Sequence, residues 1–182
     1  VIAYGKANPG KLTFSSNGIG GTLHLAMELF AIQSHIKMLH VPYKSGPMAT
    51  ADMVSGVVKM LFGGSLLIPH SQTGRIHIIA VGGTKRAPSL PDVPTMREAG
   101  LPGFNVSSWF AVVAPAGTPQ PIVQRLHQET EAIVKATRSG QGHKNPDVLF
   151  ESSTPAELTA LIGQEFKTWR TVMQEAGIKP GS

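Results

Sequence analysis

Leu12-Thr-Phe-Ser-Ser-Asn-Gly-Ile-Gly-Gly-Thr-Leu-His-Leu-Ala26 is the stretch that decides the fold of this 182-residue chain. Its first residues, 12–14, predict a short strand, and residues 15–21 predict a loop of small and polar side chains. The helix that follows has apolar residues at the spacing of one helical face. The stretch therefore predicts a strand, a glycine loop and a helix, in that order.

The glycine loop predicts a binding site for a small anion. Glycines let backbone N–H groups approach a bound group closely, because no Cβ stands in the way. The first N–H groups of the following helix have no partner inside it and carry partial positive charge. A small anion such as a carboxylate would fit such a loop. The alternative interpretation is a tight strand-to-helix turn that Thr22 caps.

Two familiar phosphate-binding motifs are excluded. The loop lacks the third glycine of a dinucleotide fingerprint, and no acidic residue follows at the position where a ribose would need one. It also lacks the Gly-Lys-Ser/Thr of a phosphate loop.

Strands and helices alternate along the first hundred residues, which predicts βαβ units and a parallel sheet. The fold class is therefore α/β. Besides the opening stretch, we expect strands at 36–41, 57–62 and 76–81 and helices at 1–7, 47–54 and 66–72.

The second part of the chain has a different pattern. A Pro- and Gly-rich segment, 85–103, carries Thr95 and Glu98 at the spacing of a helix capping box. After a predicted strand at 106–113, two amphipathic helices are expected at 121–137 and 155–176. We expect the apolar face of each helix to lie in the core.

Composition excludes several classes of function. The net charge is +5, but the 16 Lys and Arg are spread along the chain and aromatic residues make up only 6%, so we expect no nucleic-acid partner. There is no cysteine for disulfides or thiolate metal sites, and the seven His are not at metal-ligand spacing. No apolar run reaches the roughly 18 residues of a membrane span. The first ten residues do not read as a signal peptide.

No catalytic constellation stands out in the sequence. The carboxylates lie singly in different predicted elements, and no Gly-x-Ser-x-Gly nucleophile elbow is present. Ser16 and His24 could be interpreted as a nucleophile and its base, but no orienting acid accompanies them. We therefore expect a binding protein that is not an enzyme and has no cofactor and no metal.

Several motifs together resemble one known family. The loop at 15–25 and Val41-Pro-Tyr-Lys44 resemble the ligand loop and the following segment of the Bug (TctC-like) solute receptors of tripartite tricarboxylate transporters. Arg86-Ala-Pro-Ser-Leu-Pro-Asp-Val-Pro-Thr-Met-Arg-Glu-Ala-Gly100 is similar to the most specific signature of that family. The resemblance continues through Trp109, Ala114-Pro-Ala-Gly-Thr-Pro119 and Trp169, and so covers almost the whole chain.

The resemblance implies a fold and a function. The fold would be that of a type II periplasmic binding protein, with two α/β lobes around a cleft and the first lobe incomplete. Residues 1–105 would form the ligand-loop lobe, and residues 106–182 a remnant of the other lobe, a strand plus two long helices. The ligand would be a small carboxylate (a dicarboxylate, an amino acid or an aromatic acid), the partners would be membrane permease subunits, and the location would be the periplasm.

The resemblance also implies the residues of the site. The ligand carboxylate would be held largely by backbone amides and ordered water, along one wall of the cleft. The expected ligand-binding residues are Ser16, Asn17, Gly18, Ile19, Gly20, Gly21, Thr22, His24, Tyr43 and Gly63.

The chain departs from the family pattern at four places. Ser45 stands where relatives usually have a glycine, and Gly63 follows Phe62 where they often have an aspartate. Residues 139–147 replace a more regular helical stretch. The front of the family pattern is absent, so the chain is expected to be N-terminally truncated. The two long helices should then associate through their apolar faces or leave them mobile.

Two alternatives to a solute receptor stay open. The effector domain of a regulator can share this fold, although it would predict an adjoining helix-turn-helix, which the sequence lacks. A non-functional fragment of a receptor is the other alternative.

Overall fold

The computed structural model describes residues 1–138 and 145–179 and shows a small parallel sheet covered by helices. The predicted helices at 1–7, 47–54, 66–72, 121–137 and 155–176 are confirmed to within two residues. The elements are α1 (Ile2–Ala7), β1 (Leu12–Ser16), α2 (Thr22–Ser34), β2 (Met38–Pro42), α3 (Gly46–Val54), β3 (Met60–Leu61), a 3-10 turn (Ser65–Leu67), α4 (Ile68–Gln72), α5 (Gln120–Ala136) and α6 (Pro155–Glu175).

The sheet has three strands in the order β2-β1-β3, and both pairings are parallel. β1 pairs with β2 from Leu12 opposite Met38 to Ser16 opposite Pro42. β3 is short and pairs with β1 only at two positions. Because the strands are parallel, their carboxyl ends lie along one edge of the sheet, and each leads into a helical turn there.

The core forms where α2 packs on the sheet. Phe14 of β1 is 1% exposed, and α2 is buried on most of its surface. Fully burying such a side chain stabilises the fold by about 1.5–3 kcal/mol. The carboxyl-terminal part of α6 joins the same core: Val172 is buried, and Trp169 and Met173 pack against the cluster. The division of the chain at residue 105 stays a prediction.

Two predicted strands are wrong. Residues 76–81 form no strand, and Val81 makes only a single parallel bridge, to Thr95. Residues 106–113 also form no strand; the Val106 N–H donates to Gly82 O, but Phe110 is fully exposed. Strand propensity largely measures packing against neighbouring strands. Among the described residues neither segment has a strand to pair with beyond that bridge, so the apolar pattern alone does not produce a strand.

The prediction that the apolar faces of both long helices lie in the core is wrong for most of their length. On α5, Ile122 and Ile133 are more than half exposed, and only Val134 is buried. On α6, Phe166 is 66% exposed, although it lies only six residues before the buried Val172. These faces are amphipathic in sequence, but within the described residues nothing covers them fully.

The capping-box hydrogen bonds are confirmed at Thr95, around a turn and not a helix, and the predicted cap at Thr22 is wrong. Thr95 and Glu98 form the expected reciprocal box: Thr95 N–H donates to Glu98 Oε2 at 2.7 Å and Glu98 N–H to Thr95 Oγ1 at 3.1 Å. Thr22, by contrast, does not cap α2. The N-cap residue is Gly21, and no side chain accepts a hydrogen bond from the first turn.

Candidate functional site

The candidate site lies at the carboxyl edge of the sheet, where three helical turns begin. β1 leads to α2, β2 to α3, and β3 to the 3-10 turn. Each of the three N-termini lacks a side-chain cap and has no acidic residue in its first turn. Ser45, the N-cap residue of α3, has a hydroxyl that could cap but does not. The partial positive charges of three helix starts therefore stay uncompensated at one edge.

A groove of about 800 Å³ opens at this edge. Ligands of parallel α/β sheets bind outside the carboxyl ends of the strands, which is where this groove lies. We call it the edge groove. Its lining includes Asn17, Gly46, Pro47, Gly63 and Gly64.

The glycine loop, residues 17–21, divides its backbone amides into two sets. Gly18 N–H donates to Ser16 Oγ at 3.2 Å, and Gly20 N–H donates to His24 Nδ1 at 3.0 Å. The amides of Ile19, Gly21 and Thr22 have no hydrogen-bond partner within residues 1–138 and 145–179. Gly18 and Gly20 have φ of 135° and 76°, a conformation that glycine adopts without strain.

A buried cluster of side chains supports the loop from below. Ser16 and His24 are almost fully buried. Ser16 Oγ lies 2.7 Å from His40 Nε2, and the rings of His40 and His24 stack with centroids 3.7 Å apart. His24 Nε2 lies 3.3 Å from Glu28 Oε1. His40 was not among the predicted site residues, because only the register of β1 against β2 brings it beside Ser16.

Burial shifts the pKa values of the titratable side chains in this cluster. It lowers the pKa of His24 below the ordinary value of a histidine. Burial, together with the nearby His24, lowers the pKa of His40 to about 4. Burial also raises the pKa of Glu28. Both imidazoles are therefore neutral at neutral pH.

The other predicted site residues lie around the same edge. Asn17, Ile19, Gly20 and Thr22 are exposed on the loop, and Gly63 is exposed after β3. Tyr43 follows β2, and its hydroxyl donates to Asp52 Oδ2 at 2.6 Å. That hydrogen bond is the main reason why the pKa of Tyr43 is raised. Tyr43 thus ties the end of β2 to α3.

A second groove, of about 910 Å³, lies between the start of α2 and the exposed part of α6. The sequence did not predict it. It begins at Gly20 and Thr22 and continues along an apolar surface, and we call it the helix groove. That surface includes Trp109, Phe110, Phe166, Trp169 and Met173.

The described residues include no group of three or more His, Asp or Glu side chains that could hold a metal ion. Among them, too, no helix combines the length and the apolar character that crossing a membrane requires. Of the departures noted in the sequence, residues 139–144 lie outside the described part of the chain.

The fold defines the class of this protein: an α/β protein with a parallel sheet, whose carboxyl edge carries the candidate site. Its family follows from comparison. Residues 1–178 match the model of the tripartite tricarboxylate transporter family receptor, TctC, and the chain belongs to this family. Members of this family are non-catalytic binding proteins.

Relatives and solved structures agree with that assignment. The chain is 36% identical over 177 residues to the UPF0065 protein of the tcbD-tcbE intergenic region of Pseudomonas sp. (strain P51), covering 96% of this chain and 53% of the relative. It is 33% identical to BugT of Bordetella pertussis, covering 98% of this chain and 55% of BugT. The chain therefore spans about half the length of the curated relatives it matches.

Two similar structures contain carboxylates. An R. palustris protein with adipate superposes with a TM-score of 0.79 at 30% identity, over 97% of this chain and 59% of the other. MatC from Rhodopseudomonas palustris with bound malate superposes with a TM-score of 0.73 at 27% identity, over 94% of this chain and 60% of the other. Both ligands are dicarboxylates.

Proposed function

We propose that this chain is the ligand-binding part of an extracytoplasmic solute receptor, which captures a small carboxylate for a tripartite tricarboxylate-type transporter. One observation carries the proposal: three uncapped helical N-termini meet at the carboxyl edge of the sheet, beside a loop with unpaired amides. Preorganised N–H donors of this kind favour anions. The similar proteins with adipate and malate support a dicarboxylate as the ligand.

The predicted site residues take two roles in this proposal. Asn17 and Gly63 line the edge groove, and Ile19 and Thr22 are exposed on the neighbouring loop. The unpaired backbone amides of Ile19, Gly21 and Thr22 would meet the carboxylate. Hydrogen bonds from N–H groups to an ionised acceptor are stronger than those between neutral groups. Ser16, His24 and Tyr43 already have hydrogen-bond partners within the protein. They would act by holding the loop and α3 in place.

The proposed partners and location follow from the family. Membrane permease subunits would take the ligand from the receptor, and the receptor would work in the periplasm. Because the chain spans about half of its relatives, the residues described here would supply one wall of the cleft.

Titration with adipate and malate, followed by two-dimensional ¹⁵N–¹H NMR, tests the proposal. We expect the amides of Ile19, Gly21 and Thr22 to shift, and that of Gly163, on the far part of α6, to stay unchanged. Adipamide is the matched control, since it keeps the chain length and removes both charges. Shifts confined to the α6 side of the helix groove, or equal responses to adipate and adipamide, would contradict the proposal.

A further inference from the structure

We propose that His24 and His40 are positioning residues for the glycine loop: the stacked pair fixes the amides of Gly18 and Gly20 and so leaves those of Ile19, Gly21 and Thr22 available for a carboxylate. This inference rests on the proposed function, because it concerns the same site. Neither ring has to touch the ligand. His24 is 3% exposed, and its ring lies below the loop.

The contact from His24 to the loop requires one protonation state. Its Nδ1 accepts the hydrogen bond from Gly20 N–H at 3.0 Å, so this nitrogen carries no proton. The proton of the neutral ring is then on Nε2, which faces Glu28 Oε1 at 3.3 Å. The tautomer of a histidine is set by the hydrogen bonds of its two nitrogens, and here the contacts of both nitrogens select the tautomer with its proton on Nε2.

The contact from His40 reaches the loop through Ser16. The Ser16 hydroxyl accepts from Gly18 N–H at 3.2 Å and lies 3.0 Å from Gly18 O. A hydroxyl has one hydrogen to donate. All three contacts are satisfied when Ser16 donates to Gly18 O and accepts from His40 Nε2–H, 2.7 Å away. His40 thereby fixes the Ser16 side chain, and Ser16 fixes both polar backbone groups of Gly18.

The two histidines act as one unit because their rings are in contact. The centroids are 3.7 Å apart with an interplanar angle of 16°. The Phe14 ring lies beside both histidines, with its centroid 4.8 Å from that of His40 and 5.9 Å from that of His24. A substitution that removes one ring therefore also loosens the other.

This arrangement holds only while both rings are neutral. Protonation of His24 would place a second N–H donor against Gly20 N–H, and two imidazolium ions at this separation would repel each other. Two titratable groups face His24: Glu28, from the same helix α2, and His40, from β2. The neighbouring residues of β1, Phe14 and Ser16, carry no charge. From α6, Glu165 and Arg170 line the helix groove near Thr22. The lowered pKa values of both histidines keep the pair neutral at neutral pH.

The unit explains why some amides of the loop are tied and others are available. Gly18 and Gly20 are held from below, and Ile19, Gly21 and Thr22 are not. A carboxylate has two oxygens and can accept from two or more such amides at once. The histidine pair thus decides which donors the ligand meets.

Matched substitutions at each histidine test the proposal. His24→Asn keeps an acceptor near the position of Nδ1, whereas His24→Leu removes it. Similarly, His40→Gln keeps a polar group near Nε2, and His40→Leu does not. We expect each Leu variant to weaken adipate binding about tenfold, and each amide variant to bind within about threefold of the parent. As the pH falls towards the His40 pKa of about 4, affinity should fall more in the parent than in His24→Asn, because protonation of adipate itself affects both proteins equally.

NMR of the free protein separates this proposal from the proposed function. In His24→Leu the NMR resonance of the Gly20 amide should shift, and its hydrogen should exchange faster with solvent. In His24→Asn neither change is expected. If the Leu variants do not fold, the ring ¹⁵N chemical shifts of His24 in the parent show which nitrogen carries the proton. A protonated Nδ1 at pH 7 would overturn the proposal. Equal weakening by the Leu and amide variants would also overturn it. If adipate and malate do not bind the parent while the Gly20 amide behaves as expected, the proposed function fails and the positioning role stands.

Discussion

Phe14 and His40 lie directly opposite each other in the parallel register of β1 and β2, with their rings stacked 4.8 Å apart. The pair connects the hydrophobic core to the loop, because Phe14 is fully buried and His40 contacts Ser16. A disturbance of the core is therefore expected to reach the candidate site through one side chain.

Acidification should destabilise the fold through His40. Its pKa is about 4 in the folded protein and about 6.5 in the unfolded chain. The unfolded chain therefore binds a proton first as the pH falls. The stability contributed by the neutral ring is complete above pH 6.5 and is lost between pH 6.5 and pH 4, by about 1–2 kcal/mol after allowance for solvent screening.

Urea unfolding at several pH values measures this effect. His40→Gln should flatten the dependence in this range, while His77→Gln, at an exposed position, should leave it as in the parent. A parent whose stability does not change between pH 7 and pH 4.5 would contradict the prediction.

A methyl group at Gly21 should block ligand binding without disturbing the fold. Gly21 has a negative φ of −71°, and a Cβ there would lie 3.4 Å from Asn17 Oδ1, which is an ordinary contact. Gly21→Ala should therefore keep the stability of the parent within about 1 kcal/mol and weaken carboxylate binding.

Calorimetric titration with adipate measures this effect, and Gly163→Ala, in open space on α6, is the control. Substitutions at Gly18 and Gly20 are less informative, since the positive φ of both residues strains any other side chain. Undiminished affinity in Gly21→Ala would exclude the loop from the binding site.

Gly82→Ala should destabilise the protein, and Gly83→Ala should not. A Cβ at Gly82 would lie 2.5 Å from Val106 O, a backbone atom, and it would disturb the hydrogen bond from Val106 N–H to Gly82 O. A Cβ at Gly83 would come no closer than 3.7 Å to Lys85 O. We expect Gly82→Ala to lower the melting temperature by an amount equivalent to about 1–3 kcal/mol. Equal melting temperatures of the two variants would show that the segment around Val106 adjusts freely.

The exposed apolar faces of α5 and α6 should promote self-association at high concentration. Ile122, Leu126 and Phe166 are each exposed by 45% or more, and burying one such side chain in an interface would contribute about 1.5–3 kcal/mol. Sedimentation of the parent should show a concentration-dependent increase in mass. Phe166→Gln should reduce this increase, and Lys167→Gln, a change of a polar neighbour, should not. A parent that stays monomeric at millimolar concentration would contradict the prediction.

The sequence by itself determined the local features of this protein. The glycine loop, the capping box at Thr95 and the alternation of strands and helices depend on residues a few positions apart, and these predictions of element type were largely confirmed. The motifs also identified the family.

The tertiary structure alone decided the features that depend on a neighbour. The contact between Ser16 and His40 joins residues 24 positions apart and exists only because β1 and β2 pair in one register. Residues 106–113 have a strand-like sequence, yet they form no strand, and Ile133 has a core-like position, yet it is 63% exposed. The physical reason is the same in each case: a pattern shows which face of a segment is apolar, but pairing and burial require a second surface, and only the folded chain shows whether one is present.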